Sequence, residues 1–457
     1  MKEYDLIVLG GGTAGMGVAR SAAADGWKTA VVEVSRLGGT CVNVGCIPSK
    51  TLISSARTMQ TVRNAHHYGV ITESPVADWP AMLDRKEKLI TEIRSSSYKS
   101  VEKNNNITLY EGEAVFTDSH VVEVNGKSLT AEKIVIATGA RSAIPSIPGL
   151  SDIDYLTSTS AMEKKEGMAK LPGSLLILGA GTIALEFSQL FVRLGVDVTI
   201  LQRGDRLASN LEPDISDEIR KVFESEGINI KSNVNISSIG SENGSIFVVD
   251  ETDNGPLRYT ADQILVATGR TPNTDMLNLE NAGVETDKKG YIVVNDNFET
   301  STSGIWAIGD VIGGMMFTHK AWHDGLLLSR NILKGSEIIS RGRLIPFTIF
   351  TDPEIAGVGM GEEAAVEAGY KKAVKRFPFS NSARALAMEK RDGFIKLIID
   401  SNKGKILGAH IIGPEAGELI HELLAAMRFG ATVYDLQDMI HVHPTLSEAI
   451  NNTAWLK

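Results

Sequence analysis

Cysteine is nearly absent: the 457 residues contain two, Cys41 and Cys46. That excludes a small secreted scaffold stapled by disulfides. Zinc is a poor occupant, because the spacing is wider than a zinc knuckle and no second Cys/His pair lies nearby to complete four ligands. No uncharged run approaches the roughly 18 residues of a membrane-spanning helix. The start, Met1-Lys2-Glu3-Tyr4-Asp5, has neither the basic nor the apolar region of an export signal. Positive charge is in deficit as well. Forty-six Lys and Arg face 56 Asp and Glu, a formal net charge of -10. Nucleic acid or an anionic membrane is therefore a poor main partner, and a cytoplasmic protein is expected. Glycine, by contrast, is abundant at 44 residues, which suits tight turns and close backbone approaches. The length leads us to expect two to four domains.

The two cysteines share one stretch, Leu37-Gly38-Gly39-Thr40-Cys41-Val42-Asn43-Val44-Gly45-Cys46-Ile47-Pro48-Ser49-Lys50. A lone close pair without an export signal reads as a dithiol that cycles between oxidised and reduced states. The competing reading is two buried thiols used as small apolar residues.

Asp5 to Leu9 is an unbroken apolar run apart from its first residue, as expected of a strand buried on both faces. It leads into Gly10-Gly11-Gly12-Thr13-Ala14-Gly15 and then an alanine-rich helical stretch to Asp25. This is Gly-x-Gly-x-x-Gly between strand and helix. Gly10 allows the turn, Gly12 lets a pyrophosphate approach the backbone, and Gly15 packs helix on strand. The phosphates would sit on the helix N-terminus. A second strand, Lys28 to Val34, carries Glu33 near its end, at about the interval of an acid that binds a ribose hydroxyl.

The pattern recurs from Ser174. Leu175 to Leu178 lead into Gly179-Ala180-Gly181-Thr182-Ile183-Ala184, with a helix through Arg193 and a strand from Val196 to Leu201. Gln202 and Arg203 stand where an acid would bind the ribose, with Arg206 near. A missing acid beside arginine favours a 2′-phosphate, hence NADP over NAD; ordinary surface arginines are the alternative. Lys133 to Gly139 and Gln263 to Arg270 are buried strands that each carry Ala-Thr-Gly near the end, so each phosphate loop has its own later segment and two dinucleotide sites are implied, with Gly269 and Arg270 as candidate contacts. Between the cysteine stretch and Asn106, a helix over 51–64 is expected, then a polar region in which His66 and His67 read as surface histidines. From Arg343 onward the Gly-rich loops stop, and a separate α+β domain is expected.

Across nearly its whole length the sequence resembles the class I flavin-dependent pyridine nucleotide–disulfide oxidoreductases. Cys41 to Lys50 is similar to the redox-disulfide signature of that family. His441-Val442-His443-Pro444-Thr445-Leu446-Ser447-Glu448 is similar to the catalytic-base segment of its dihydrolipoamide dehydrogenases. The resemblance implies an α/β fold of two Rossmann-like domains, for FAD and NAD(P), plus a C-terminal α+β dimerisation domain. It implies a first FAD segment over 1–146, an NAD(P) domain over 147–266, a second FAD or central segment over 267–340, and the dimerisation domain over 341–457. His443 becomes the base and Glu448 its orienting partner, both reaching the disulfide of the other subunit of a homodimer. A histidine suits the task because it titrates near neutrality. Lys50 matches the lysine near the flavin, and Glu186 its ion-pair partner. Gly10 to Gly15, Glu33, Gly39, Thr40, Ala114, Thr138, Gly139, Asp310 and Thr318 fall on FAD contacts.

The implied activity is electron transfer from a dihydrolipoyl group, free or on a carrier protein, through Cys41 and Cys46 and FAD to NAD(P). An NADPH-dependent reductase of another disulfide remains open, glutathione-reductase-like or mercuric-reductase-like. The chain ends in Trp455-Leu456-Lys457, without the C-terminal cysteine pair of mercuric reductases. A non-catalytic flavoprotein subunit of a larger complex is the reading from another class.

Overall fold

The computed structural model describes residues 2–164 and 168–456, so Met1 and Lys457, quoted above at the two ends, lie outside it. The chain divides into two compact units. One comprises Met1–Thr51, Ala81–Ala143 and Gly269–Arg343; the other comprises Leu52–Pro80, Ile144–Thr268 and Leu344–Lys457.

The first unit is built on a parallel five-stranded sheet in the order Ile305–Ala307, Ile134–Ile136, Leu6–Leu9, Thr29–Glu33, Ile107–Glu111. Its central strands are buried residue by residue. Ile7, Leu9, Val32 and Ile136 face one core, and Leu6, Val8, Val31 and Val135 face the other. A parallel sheet covered on both faces gives this signature, which is why the runs read as strands. The helix Thr13–Ala24 packs on the helix Thr318–Lys334. A Cβ at Gly325 would lie 2.8 Å from the Ala14 carbonyl oxygen, so only glycine permits that approach. A second sheet, in the order Lys2–Glu3, Lys127–Thr130, Val121–Val124, Ala114–Asp118, closes over the first core.

The second unit contains a parallel four-stranded sheet, ordered Asn229–Lys231, Asp197–Leu201, Ser174–Leu178, Gln263–Val266. An antiparallel ribbon, Ile236–Glu242, Ser245–Thr252 and Gly255–Ala261, shares its core. The C-terminal part is an antiparallel five-stranded sheet in the order Phe347–Ile349, Glu354–Gly359, Ile406–Gly413, Phe394–Asp400, Lys372–Pro378. The helices Ala416–Arg428 and Glu448–Trp455 cover it. Two dinucleotide folds and a C-terminal α+β region are thus present, as the sequence implied.

Two local expectations change. The helix expected over 51–64 runs Cys46–Arg63, because Pro48 sits in its first turn, where proline is tolerated. The polar region before Asn106 holds a 24-residue helix, Trp79–Glu102. Its buried stripe, Trp79, Leu83, Lys86, Ile90, includes a lysine, which broke the apolar period. No helix among the described residues is long and apolar enough to cross a membrane.

Candidate active site

The cysteine stretch folds as a tight wrap across a short helical segment and the start of a long one. Cys41 lies in Gly39–Asn43, and Cys46 opens Cys46–Arg63. Gly39 adopts a left-handed φ of 57°, and a Cβ there would lie 2.8 Å from Gly12 Cα. The redox loop is therefore seated against the first phosphate loop. Asn43 Nδ2 holds the wrap by donating to the Leu37 and Gly39 carbonyls, each at 3.0 Å.

Both cysteines are unbridged and partly buried. Cys46 Sγ lies 3.2 Å from Thr318 Oγ1. The Cys41 thiol is pushed far up from its ordinary value. Its hydrogen bond to Cys46 is the main cause, followed by burial and then by negative charge on Cys46. Thr318 and Lys50 oppose that rise. Cys41 is thus held as the neutral thiol of the pair. The helix N-terminus at Cys46 favours negative charge on that sulfur. Thr318, implied as an FAD contact, is thereby also a partner of the sulfur pair. Its 272-residue separation from Cys46 left no sequence signal.

Beside this loop the first unit offers a cradle that fits FAD. The helix Thr13–Ala24 begins at Gly12 with no side-chain cap, leaving its first N–H groups to an anion. A Cβ on Gly12 would meet only Gly39 Cα, at 3.9 Å, so a pyrophosphate can approach. At Gly15 a Cβ would lie 2.1 Å from the Gly10 carbonyl oxygen, so the third glycine is dictated by packing. Glu33 is pinned at the end of its strand, accepting from Gly11 N at 2.7 Å and Ser35 N at 2.8 Å.

Ala114 opens Ala114–Asp118 in the second sheet. Thr138 Oγ1 donates to the Asn273 carbonyl at 2.7 Å, and Gly139 O accepts from Asn273 N at 3.0 Å. Thr40 lies between Gly39 and Cys41 in the wrap. Gly269 and Arg270 fall in this first unit. Arg270 Nη2 bonds the Ala140 carbonyl, and its buried Nε has no hydrogen-bond partner, 3.8 Å from the Asp310 carboxylate. Burial pushes the Asp310 carboxyl up, while Arg270 and Lys320 pull it back. A buried guanidinium nitrogen without a hydrogen bond, beside such a carboxyl, leaves polar capacity for part of a bound cofactor.

In the second unit, the helix Thr182–Arg193 begins at Gly181, again uncapped, and a Cβ on Gly181 would meet nothing within 4 Å. Ala184 is fully buried at the third motif position. Gln202 follows the strand Asp197–Leu201, with its side chain turned to the Arg206 carbonyl at 3.3 Å. Arg203 is exposed, and Arg206 lies a loose 3.8 Å from the exposed Asp205. Glu186 is buried on this helix and accepts from Phe350 N at 3.0 Å.

The C-terminal pair is formed. His443 Nδ1 lies 2.9 Å from Glu448 Oε1, and Glu448 Oε2 accepts from Thr445 N at 2.9 Å. Those two bonds, Thr445 first and His443 second, hold the Glu448 carboxyl below its ordinary range. The His443 side chain is 72% exposed. His441, two residues earlier, is instead buried against Glu422 at 2.8 Å. His66 and His67 are exposed.

Residues 4–325 match the family described as pyridine nucleotide-disulphide oxidoreductase, and residues 345–454 match its dimerisation domain. The chain belongs to this family. Over 99% of its length this pyridine nucleotide–disulfide oxidoreductase is 37% identical to a mercuric reductase of Staphylococcus aureus, covering 82% of that protein. It is also 37% identical to a dihydrolipoyl dehydrogenase of Haloferax volcanii, over 98% of this chain and 95% of that one. Among solved structures, the HOCl-induced flavoprotein disulfide reductase RclA from Escherichia coli superposes with a TM-score of 0.90 at 31% identity, covering 99% of this chain and 100% of RclA. The family uses FAD and a pyridine nucleotide. The matched dimerisation domain supports a homodimer.

Proposed function

We propose that this oxidoreductase exchanges electrons between a dihydrolipoyl dithiol and NADP, through Cys41 and Cys46. The observation that carries this reading is the His443–Glu448 pair, a base with its tautomer set by a carboxylate at 2.9 Å. His443 takes the proton of one substrate thiol. The resulting thiolate attacks Cys41 of the oxidised pair, forming a mixed disulfide and releasing Cys46 as thiolate. The second substrate thiol then displaces Cys41, its proton passing to the departing Cys41 sulfur. The products are oxidised substrate, a protonated Cys41, an anionic Cys46 and a protonated His443; the raised Cys41 thiol suits the proton on that sulfur. In the family homodimer His443 would serve the partner's cysteines.

FAD, held by Gly10 to Gly15, Glu33, Thr138, Gly139 and Asp310, would supply two-electron transfer between Cys46 and the nicotinamide. Lys50 would stand near the flavin, and Glu186 would serve the nicotinamide half of the reaction. Gly179, Gly181 and the helix N-terminus after them would hold the second pyrophosphate. Gln202 with exposed Arg203 favours a 2′-phosphate there. The domain limits that go with this reading are 1–146 and 267–340 for FAD, 147–266 for NAD(P) and 341–457 for the dimer.

The test is steady-state oxidation of dihydrolipoamide with NAD and NADP compared side by side. Turnover preferring NADP supports the whole reading; turnover preferring NAD removes the arginine argument alone. A second reading has support in two relatives: the mercuric reductase above, and a Cu(II) complex of RclA at TM-score 0.90. Two adjacent thiols are good ligands for a soft ion. NADPH consumption driven by Hg(II) or Cu(II), without dithiol turnover, would select it.

A further inference from the structure

The helix that carries Glu186 is fixed by an unusual set of contacts. On most helices the buried face is apolar. Here Glu186, Gln189 and Arg193, spaced along one face of Thr182–Arg193, are 3%, 4% and 4% exposed. All three meet the short segment 350–352 at the start of the C-terminal region. Glu186 Oε1 accepts from Phe350 N at 3.0 Å. Gln189 grips Asp352 on both sides of its backbone, accepting from its N at 2.7 Å and donating to its O at 2.7 Å. Arg193 Nη1 reaches the Asp352 carboxylate at 3.0 Å, and its other nitrogens form a fork on Glu226 at 2.8 and 2.6 Å.

The segment is held from its other side too. Lys390 Nζ bonds both Asp352 carboxylate oxygens at 2.9 Å, and Arg57 Nη2 bonds the Thr351 carbonyl at 2.8 Å. Burial pushes the Asp352 carboxyl up, but Arg193 and Lys390 outweigh it and hold it ionised. Directional bonds to backbone N–H and C=O groups tolerate little displacement, so this stripe sets the axial position of the helix.

We propose that Gln189, Arg193 and Asp352 are positioning residues for the nicotinamide half of the reaction, acting through the placement of Glu186. The inference rests on the role given to Glu186 under the proposed function. An axial shift of the helix would move Glu186 and the Gly179–Gly181 phosphate loop together, and misplacement of about 1 Å is enough to slow a positioned step severely.

The experiment is anaerobic rapid mixing of the holoenzyme, with flavin reduction followed separately for saturating NADPH and for dihydrolipoamide. Asp352→Asn should slow reduction by NADPH by roughly tenfold and leave reduction by dihydrolipoamide within about twofold. The decisive arm is the cycle with Glu186→Gln. If Asp352 acts through Glu186, the Asp352→Asn effect disappears in that background, because the two changes share one pathway. Additive losses, equal slowing of both half-reactions, or an unchanged NADPH rate would overturn the proposal. Should Asp352→Asn fail to fold, Gln189→Met carries the same comparison. Absence of flavin reduction by either nucleotide in the parent enzyme would instead overturn the function on which the proposal rests.

Discussion

Replacing Thr318 by valine removes one hydroxyl and little volume, and so tests the sulfur chemistry directly. When Cys46 is a thiolate it can only accept, so Thr318 Oγ1 at 3.2 Å must donate. Hydrogen bonds to charged groups contribute about 1.5–3 kcal/mol. Sulfur is a soft acceptor, so the lower end, about 1.5 kcal/mol, applies here. At 1.36 kcal/mol per unit, loss of that bond should raise the pH at which the reduced pair becomes reactive by about one unit. The sign follows from the hydroxyl favouring the charged form, an influence that also pulls the Cys41 thiol downward. The assay is the rate of iodoacetamide alkylation against pH for the two-electron-reduced protein. Flavin content per chain is measured alongside, because Thr318 also falls on an implied FAD contact. Thr318→Ser should keep the parent midpoint. A midpoint unmoved or lowered in Thr318→Val would refute the idea that this hydroxyl stabilises the thiolate.

Cys46→Ser should abolish dithiol turnover while FAD stays bound; retained turnover would dismiss the relay. His443→Gln should slow dithiol oxidation by roughly 10² to 10⁴, the usual general-base contribution, and an undiminished rate would remove His443 from the mechanism. Gln202→Glu with Arg203→Ala should raise the NAD/NADP preference ratio, read from kcat/KM for each nucleotide. Lys396→Met should cost about 3–5 kcal/mol in denaturant unfolding. The side chain is 1% exposed and bonds Glu212 at 2.8 Å, Asp214 at 3.0 Å and Glu362 at 2.6 Å; the variant would strand buried Glu212, while Asp214 and Glu362 stay part-exposed. Burial pushes the Glu362 carboxyl up, but bonds from Lys372 and Lys396 hold it below its ordinary 4.5. A depressed folded value stabilises above the ordinary value and loses that effect as pH falls through the folded one. The gap between parent and variant should therefore be full near neutrality and narrow below about pH 4.5.

Much of this architecture could be read from the chain because its buried parallel strands are apolar without interruption. Leu6–Leu9, Ile134–Ile136, Ser174–Leu178 and Gln263–Val266 all announced themselves in this way. The phosphate loops were legible for a similar reason: glycine is required wherever a Cβ would strike backbone, as at Gly15. Helices with a polar buried side were harder. Lys86 interrupts the stripe of Trp79–Glu102, and the serine run 95–97 weakened the pattern further. In the C-terminal sheet Lys372–Pro378, an edge strand with lysines, carries no such signal, unlike the near-continuous apolar strands Phe394–Asp400 and Ile406–Gly413. At the site, the cysteine pair and the His443–Glu448 pair are local motifs. The Thr318 contact and the Glu186–Gln189–Arg193 stripe join distant residues, and nothing in the local spelling marks them.

The relay itself is tested most directly by differential alkylation. The oxidised protein is blocked with one reagent, reduced anaerobically with one equivalent of NADPH, and labelled with a second reagent for mass spectrometry. The account predicts that the second label appears on Cys41 and Cys46, two thiols per chain, with neither cysteine carrying the first. Flavin bleaching with no second label on either cysteine would contradict it, because electrons would then be reaching the flavin without passing to the pair.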